Sequence, residues 1–401
     1  MSRFMHLAIF LVLAALALYG MHRYVWARLV RDARLPRPWG HLATAFVVLA
    51  ALAVPVAFTF ARRRTEDSVS GPSGLVWTWF GFVFYAFLAV VLLDLARLLA
   101  RAVRRPGKRA VITEAVQAAG EDAPDRRTVL ARVLASGAAL AAGGTTWAGR
   151  RSAQELTTPT IEVELEKLPR ALDGFKIAQL SDVHFGPLLG AEFLEDVLAK
   201  VHALAPDLVV ITGDLVDGSV EKLGPRIERL RELRAPHGVV FVTGNHEYYS
   251  DADAWIAWLR ERGVRVLMNE RVSIGADGAS FDLAGIPDRD GVMFGAEHRV
   301  DLARALAGRD AARALVLLAH RPSHADLAAE NGVDLQLSGH THGGQLWPFG
   351  ALVRLAEPYL AGLHLHRGRT QVYVSRGTGF WGPPMRVGNP AEIGCIVLRA
   401  R

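Results

Sequence analysis

Five short clusters place metal-capable side chains immediately after apolar runs. They are Asp182-Val183-His184, Gly213-Asp214, Gly244-Asn245-His246, a lone His320, and Gly339-His340-Thr341-His342-Gly343-Gly344. Each alone is weak, because a D-x-H triplet arises often by chance and a solitary buried histidine is usually a satisfied core residue. Their ordered recurrence is far more specific. Residues two apart on an extended segment project to the same side, so Asp182 and His184 can face one ion, as can His340 and His342. Carboxylate, amide and imidazole donors suit hard or borderline divalent ions such as Mn, Fe and Zn. A pair of such ions can screen the negative oxygens of a phosphoester and generate hydroxide at neutral pH. Cys395 is the only cysteine, which excludes an intrachain disulfide and makes a structural zinc site a poor reading. Its strand-like surroundings point to a small buried core residue.

The elements that must carry these clusters follow from hydrophobic period. Strands are expected at 161–165, 175–180, 208–212, 238–243, 264–268, 314–319, 333–337, 371–375 and 393–399. Helices are expected at 191–204, 224–233, 252–262 and 299–307. The order begins β-α-β-α-β, and the polar motifs sit just past strand C-termini, where open α/β sheets build their sites.

Taken in order, D-x-H, G-D, G-N-H-E, a lone His and G-H-x-H resemble the calcineurin-like metallophosphoesterase superfamily. The match runs over roughly residues 173–346. Ser181 to Gly186, Gly213 to Asp217, Ser338 to Gln345 and the late Ser375-Arg376-Gly377-Thr378-Gly379 also resemble the bacterial membrane-anchored members. The resemblance implies a four-layer α-β-β-α sandwich. It implies one metal held by Asp182, His184, Asp214 and His342, and a second held by Asp214, Asn245, His320 and His340, with Asp214 bridging. Hydrolysis would proceed by in-line attack of a hydroxide held between the metals. His246 would contact the phosphate or protonate the leaving oxygen as a general acid.

Other residues carry two readings each. Asp217 orients a metal ligand or stabilises a turn. Glu247 is structural or at the rim. Tyr248 and Tyr249 line the mouth or pack. Arg376 and Arg386 bind phosphate or, the favoured reading, lie on the solvated surface. His364 and His366 share a strand face and read as structural or exposed. The apolar, turn-rich 380–385 segment touches lipid near the site or folds back on the core.

The chain has 401 residues, 51% of them hydrophobic, with the apolar excess before residue 150. Segments 5–21, 41–61 and 75–99 approach or exceed the ~20 apolar residues that cross a bilayer. Asp94 lies near an end of the third, and Trp77 and Trp79 near the other. A weaker fourth segment, 129–147, follows a twin-arginine-like Asp125-Arg126-Arg127-Thr128-Val129-Leu130; it reads as a fourth span, against an interfacial helix or a cleavable signal. The expected organisation is therefore a transmembrane region over 1–150 and a catalytic domain over 155–401. The net charge is +6, and much of the arginine flanks the apolar segments, which favours membrane topology over nucleic-acid binding. Arginines before residue 40 and the basic run over 101–127 outweigh Arg62-Arg63-Arg64, so those two loops are assigned to the cytoplasm. With four spans, the catalytic domain then lies on the extracytoplasmic face of the cell membrane.

The expected activity is metal-dependent hydrolysis of a phosphomonoester, phosphodiester or pyrophosphate, on a membrane-associated or lipid-linked phosphate. The resembling family includes enzymes acting on UDP-diacylglucosamine. The alternative is a catalytically inactive metal-binding sensor or binding module at the membrane. A transporter with an appended domain is disfavoured by the few membrane-embedded charges.

Overall fold

The computed structural model describes residues 3–61, 71–103, 125–276 and 278–401. The chain forms two compact units, Met1–Phe60 with Leu75–Ala148, and Ala61–Gly74 with Gly149–Arg401.

The first unit is helical: α1 (Arg3–Trp26) running into a π-helical turn over Ala27–Arg31, α2 (Arg37–Ala61), α3 (Pro72–Val103) and most of α4 (Arg126–Ser152). Arg37–Ala57, Pro72–Val103 and Arg126–Ser152 are long and apolar enough to cross a membrane. The fourth segment, weakest in sequence, is thus part of one continuous helix of 27 residues. Asp94 is paired, taking a hydrogen bond from Tyr24 at 2.5 Å and an ion pair from Arg28 at 2.8 Å. The basic residues Arg62, Arg63, Arg64, Arg104, Arg105, Lys108 and Arg109, on which the sidedness expectation leans, lie outside the described residues.

The second unit begins with β1 (Leu156–Thr157), β2 (Thr160–Leu165), β3 (Phe175–Leu180), α5 (Ala191–Leu204), β4 (Leu208–Ile211), α6 (Val220–Leu223), β5 (Val239–Phe241), α7 (Asn245–Tyr249), α8 (Ala252–Glu261) and β6 (Arg265–Val266). It continues through β7 (Glu270–Ala276), β8 (Ala279–Gly285), β9 (Leu315–Leu318), β10 (Leu335–Ser338), β11 (Gly362–His366), β12 (Thr370–Val374), β13 (Ala391–Glu392) and β14 (Gly394–Ala400). One six-stranded sheet has the order β2-β14-β3-β4-β5-β6, the other β11-β12-β10-β9-β8-β7. Both are mixed: β3, β4, β5 and β6 run parallel with β14 antiparallel to β3, and β8, β9, β10 and β12 run parallel between antiparallel edges.

The layers follow from strand alternation. Ile177, Leu208, Val210 and Val240 from one sheet pack with Phe281, Leu283, Val316, Leu318, Leu335 and Leu337 from the other. Their alternating neighbours, Ala178, Leu180, Val209 and Ile211, face outward against α5 and α8. In α5 the buried set Leu194, Val197, Leu198 and Val201 has the spacing of an apolar helix face. On the far side, Ala284, Leu315 and Leu317 pack under Leu302, Ala305 and Ala328. The result is the expected α-β-β-α sandwich.

Two local expectations need correction, and one element is new. The helix expected over 224–233 is instead α6 followed by a 3-10 stretch, Gly224–Glu232, with Pro225 near its start and non-helical φ/ψ at Ile227. The helix expected over 299–307 is confined to Leu302–Leu306, because the Asp301 side chain accepts the Arg304 N–H and caps it. The β7–β8 hairpin went unanticipated, although Asp277-Gly278 between alternating segments is a hairpin signal.

Candidate metal centre

Every predicted site residue follows a strand C-terminus. Asp182 and His184 come after β3, Asp214 after β4, Asn245 and His246 after β5, His320 after β9, and His340 and His342 after β10. Because β3, β4 and β5 run parallel, as do β9 and β10, these turns gather at one edge of the two sheets. Five of the residues have left-handed backbone: Asp182 (φ 51°), His184 (52°), Asp214 (53°), His340 (70°) and His342 (52°). Such conformations cost roughly 1–3 kcal/mol each and persist where the surroundings impose them. Close backbone approach requires glycine at two positions. A Cβ on Gly213 would lie 2.5 Å from the Gly244 nitrogen and 2.8 Å from His320 Nδ1, and one on Gly339 would overlap Ser181 Oγ and Asp182 Oδ2.

The side chains converge in two groups. Asp182, His184 and His342 offer ligand atoms within 4.8 Å of one another, and so do Asp214, His320 and His340. His184 Nδ1 lies 3.1 Å from Asp217 Oδ2, so its N–H is donated there and Nε2 is left bare, 3.1 Å from His342 Nε2. His320 Nδ1–H donates to the Thr212 carbonyl at 2.8 Å, which aims its Nε2 at Asp214 Oδ2, 3.1 Å away. Both contacts pair atoms that become metal ligands once the rings give up a proton. The buried Oδ1 of Asn245 has no hydrogen-bond partner among the described residues. These are the marks of a donor set that fits divalent cations, with Asp217 and the Thr212 carbonyl fixing the His184 and His320 rings.

The titration behaviour has the same cause. Burial pulls His320 down, but Asp214 and then Asp182 outweigh it and raise it to about 10. Burial likewise lowers His246, while Asp217 and Asp214 raise it to about 9. Asp214 and Asp217, despite burial, are held well below the usual carboxylate range by the surrounding histidines. Burial and the neighbouring His184 depress His342, and burial with His320 depresses His340.

Asp217 bridges two rings, with Oδ2 on His184 and Oδ1 on His246 Nδ1 by a short contact. Of its two sequence readings, these contacts fit the one in which it orients a neighbouring ring. Glu247 is buried, and its carboxylate accepts the N–H groups of Gly244 (2.6 Å), Asp214 (3.0 Å) and Leu215 (2.8 Å), tying the second and third turns together. Burial, together with the charge of Asp214, raises it to about 7. Tyr248 packs inside against Phe294 and His298, whereas Tyr249 is exposed and edges the His246 ring.

The surface reading of Arg386 is overturned. It is 0% exposed and donates to the carbonyls of Gly377, Gly379, His342 and Asn389. Those carbonyls, with no carboxylate among them, tie the loop after β12 to the His342 turn. Arg376 is half-exposed and ion-paired to Glu392 at 2.6 Å. His366 bonds Tyr359 and Asp326, and His364 bonds the Ala361 carbonyl, so neither joins the centre. Sequence reasoning missed Arg321, whose Nη1 lies 3.2 Å from His340 Nε2 and whose other nitrogens are held by Asp288 and Asp290. Its one sequence signal is adjacency to His320.

Comparison with known proteins gives this arrangement its family. Residues 175–344 match the model of the calcineurin-like phosphoesterases. A Helicobacter pylori protein named as an uncharacterized metallophosphoesterase is 38% identical over 69% of this chain and 73% of its own length. The chain belongs to the calcineurin-like metallophosphoesterases. An Aquifex aeolicus metallophosphoesterase is 35% identical over 60% of this chain and 90% of itself. A bovine transmembrane protein with metallophosphoesterase domain is 40% identical over 62% of this chain. The match spans only 58% of that bovine metallophosphoesterase, so what the whole relative does is not carried across. With three helices among the described residues able to cross a bilayer, this metallophosphoesterase is a membrane protein.

Proposed function

We propose that the chain hydrolyses phosphoesters with two divalent cations, on a phosphate borne by a membrane-associated or lipid-linked molecule. The observation that carries the reading is the convergence of two buried donor groups, Asp182 with His184 and His342, and Asp214 with His320 and His340, the ligand atoms of each within 4.8 Å of one another. One cation would be held by Asp182, His184, Asp214 and His342, the other by Asp214, Asn245, His320 and His340. When bound, such ions neutralise phosphate charge and make an attacking hydroxide available at neutral pH.

The chain's own residues supply the rest. Asp217 pins His246 through Nδ1, leaving Nε2 to carry the transferable proton. The raised His246 keeps that proton at neutral pH and can deliver it to the departing oxygen. Arg321, fixed by Asp288 and Asp290, sets a permanent positive charge beside His340, where a phosphate oxygen can be bound. The spans favour a substrate that shares the bilayer. The four-span reading with the basic loops inside puts the catalytic unit on the extracytoplasmic face of the cell membrane. Reporter fusions at the C-terminus check that, and a cytoplasmic signal refutes it.

Turnover of bis(p-nitrophenyl) phosphate by the full chain, with Mn, Fe or Zn added, tests the chemistry. Hydrolysis that chelator abolishes supports it. Metal binding with no turnover under any of these ions would instead favour the sensor module.

A further inference from the structure

The last turn of α4 ends inside the catalytic unit, and where it ends is informative. The Gly149 carbonyl accepts the Arg386 N–H at 2.9 Å, and a Cβ on Gly149 would lie 2.8 Å from the Val387 side chain. Ala153, one turn on, packs with Leu189 and Phe380. The chain therefore leaves its last apolar helix directly onto the 380–387 loop.

That loop is part of the rim of the metal centre. The Val387 carbonyl accepts the Trp347 N–H at 3.0 Å, and Gln345 bonds the Trp381 backbone through both ends of its amide. The Trp381 ring lies 5.8 Å from the His246 ring. Around this point large apolar side chains face outward: Trp381 is 44% exposed, Phe349 47%, Leu352 60%, Trp347 66% and Leu355 85%. They come from residues 347–355, which include the short helix Gly350–Val353, and from the loop holding Trp381, both after the last metal-capable cluster, with Arg354 among them. Scattered single apolar residues are ordinary, but several on two segments joined through Gln345 and Val387 beside a polar site mark an interaction surface. Two tryptophans, aliphatic side chains and an arginine are the composition of a membrane–water interface.

We infer that this rim, Trp347, Phe349, Leu352, Leu355 and Trp381, rests in the interfacial layer of the bilayer that α4 leaves, so that the metal centre opens at the headgroups. The occupant is the bilayer because the loop receiving the end of the apolar helix is continuous with the exposed surface. A site so placed takes a phosphate carried by a lipid without drawing the acyl chains into water. The inference rests on the membrane-phosphate reading above and names the surface that delivers it.

The test uses the full chain in nanodiscs of phosphatidylcholine and phosphatidylglycerol, spin-labelled at Leu355→Cys, at Phe349→Cys or, as a control, at Glu166→Cys. Glu166 follows β2, at the edge of the sheets away from the centre, and its side chain is 79% exposed. Leu355 is exposed enough that the substitution leaves the core untouched. Labels at 355 and 349 should be reached by oxygen and shielded from a water-soluble nickel chelate, giving an oxygen-to-nickel ratio several-fold above that at 166. Labels at 355 and 349 as open to nickel as the control overturn the inference. Bis(p-nitrophenyl) phosphate turnover by the same preparations reports separately on the chemistry. An active enzyme with a wet rim loses this surface alone; a buried rim on an inert protein loses the catalytic reading alone.

Discussion

His184 and His342, 158 positions apart in sequence, bring their Nε2 atoms to 3.1 Å, and the Nδ1 of His184 is already committed to Asp217. The contact brings two nitrogens able to ligate a metal together beside the Asp182 carboxylate, which lies 3.4 Å from His342 Nε2.

Asp214 lies 3.1 Å from His320 and accepts the His246 N–H at 2.8 Å. Asp214→Asn should lose bound metal and turnover together. His246→Ala should lose turnover, by about 10²–10⁴-fold for a general acid, while keeping metal. Elemental analysis beside a rate assay separates the two, and full activity in either variant would sink the assignment.

Removing the metals should soften the protein. A ligand that binds only the folded state at a hundred times its dissociation constant stabilises it by roughly 2.7 kcal/mol. Chelator should therefore lower the melting temperature in detergent, and Mn, Fe or Zn should restore it. An unchanged melting curve would speak against resident cations.

The metal-free protein should then lose stability on the alkaline side. His246 and His320 are raised from 6.5 to about 9 and about 10. A raised histidine contributes stability in full below its unfolded value, and the contribution disappears as pH climbs through the folded one. The window is thus pH 6.5 to about 10. Melting curves in chelator should fall across it, and His320→Gln should flatten the fall.

Glu247 ties three backbone N–H groups from two turns to one carboxylate. Glu247→Gln turns an amide N–H toward one of these donors. Leaving a buried donor unsatisfied costs about 1–3 kcal/mol. The variant should melt lower and bind metal more weakly, as titration calorimetry would show, since the Asp214 and Asn245 turns lose their common anchor.

Arg321 is the phosphate-binding candidate. Arg321→Lys keeps the charge but gives up the fork held by Asp288 and Asp290. It should raise KM for bis(p-nitrophenyl) phosphate with little change in metal content. Loss of metal in this variant would place Arg321 in support of His340 instead.

The chemistry was legible in the sequence because its signals are local. Asp182 with His184, and His340 with His342, sit two apart after apolar runs, and glycines flank them where the backbone must turn tightly. The strands and α5 were legible for the same reason, since period and end signals are read within a dozen residues. Tertiary structure alone decided what depends on distant partners. Arg386 reads as a surface arginine until carbonyls from the His342 turn and the loop after β12 surround it. Asp217 had two equal readings until His184 and His246 arrived on its two oxygens. Arg321 stayed hidden because Asp288 and Asp290 hold it from another strand's loop. Local sequence sets backbone period and donor type; which lone pairs face each other is set by long-range packing of two sheets, and no window of residues contains that.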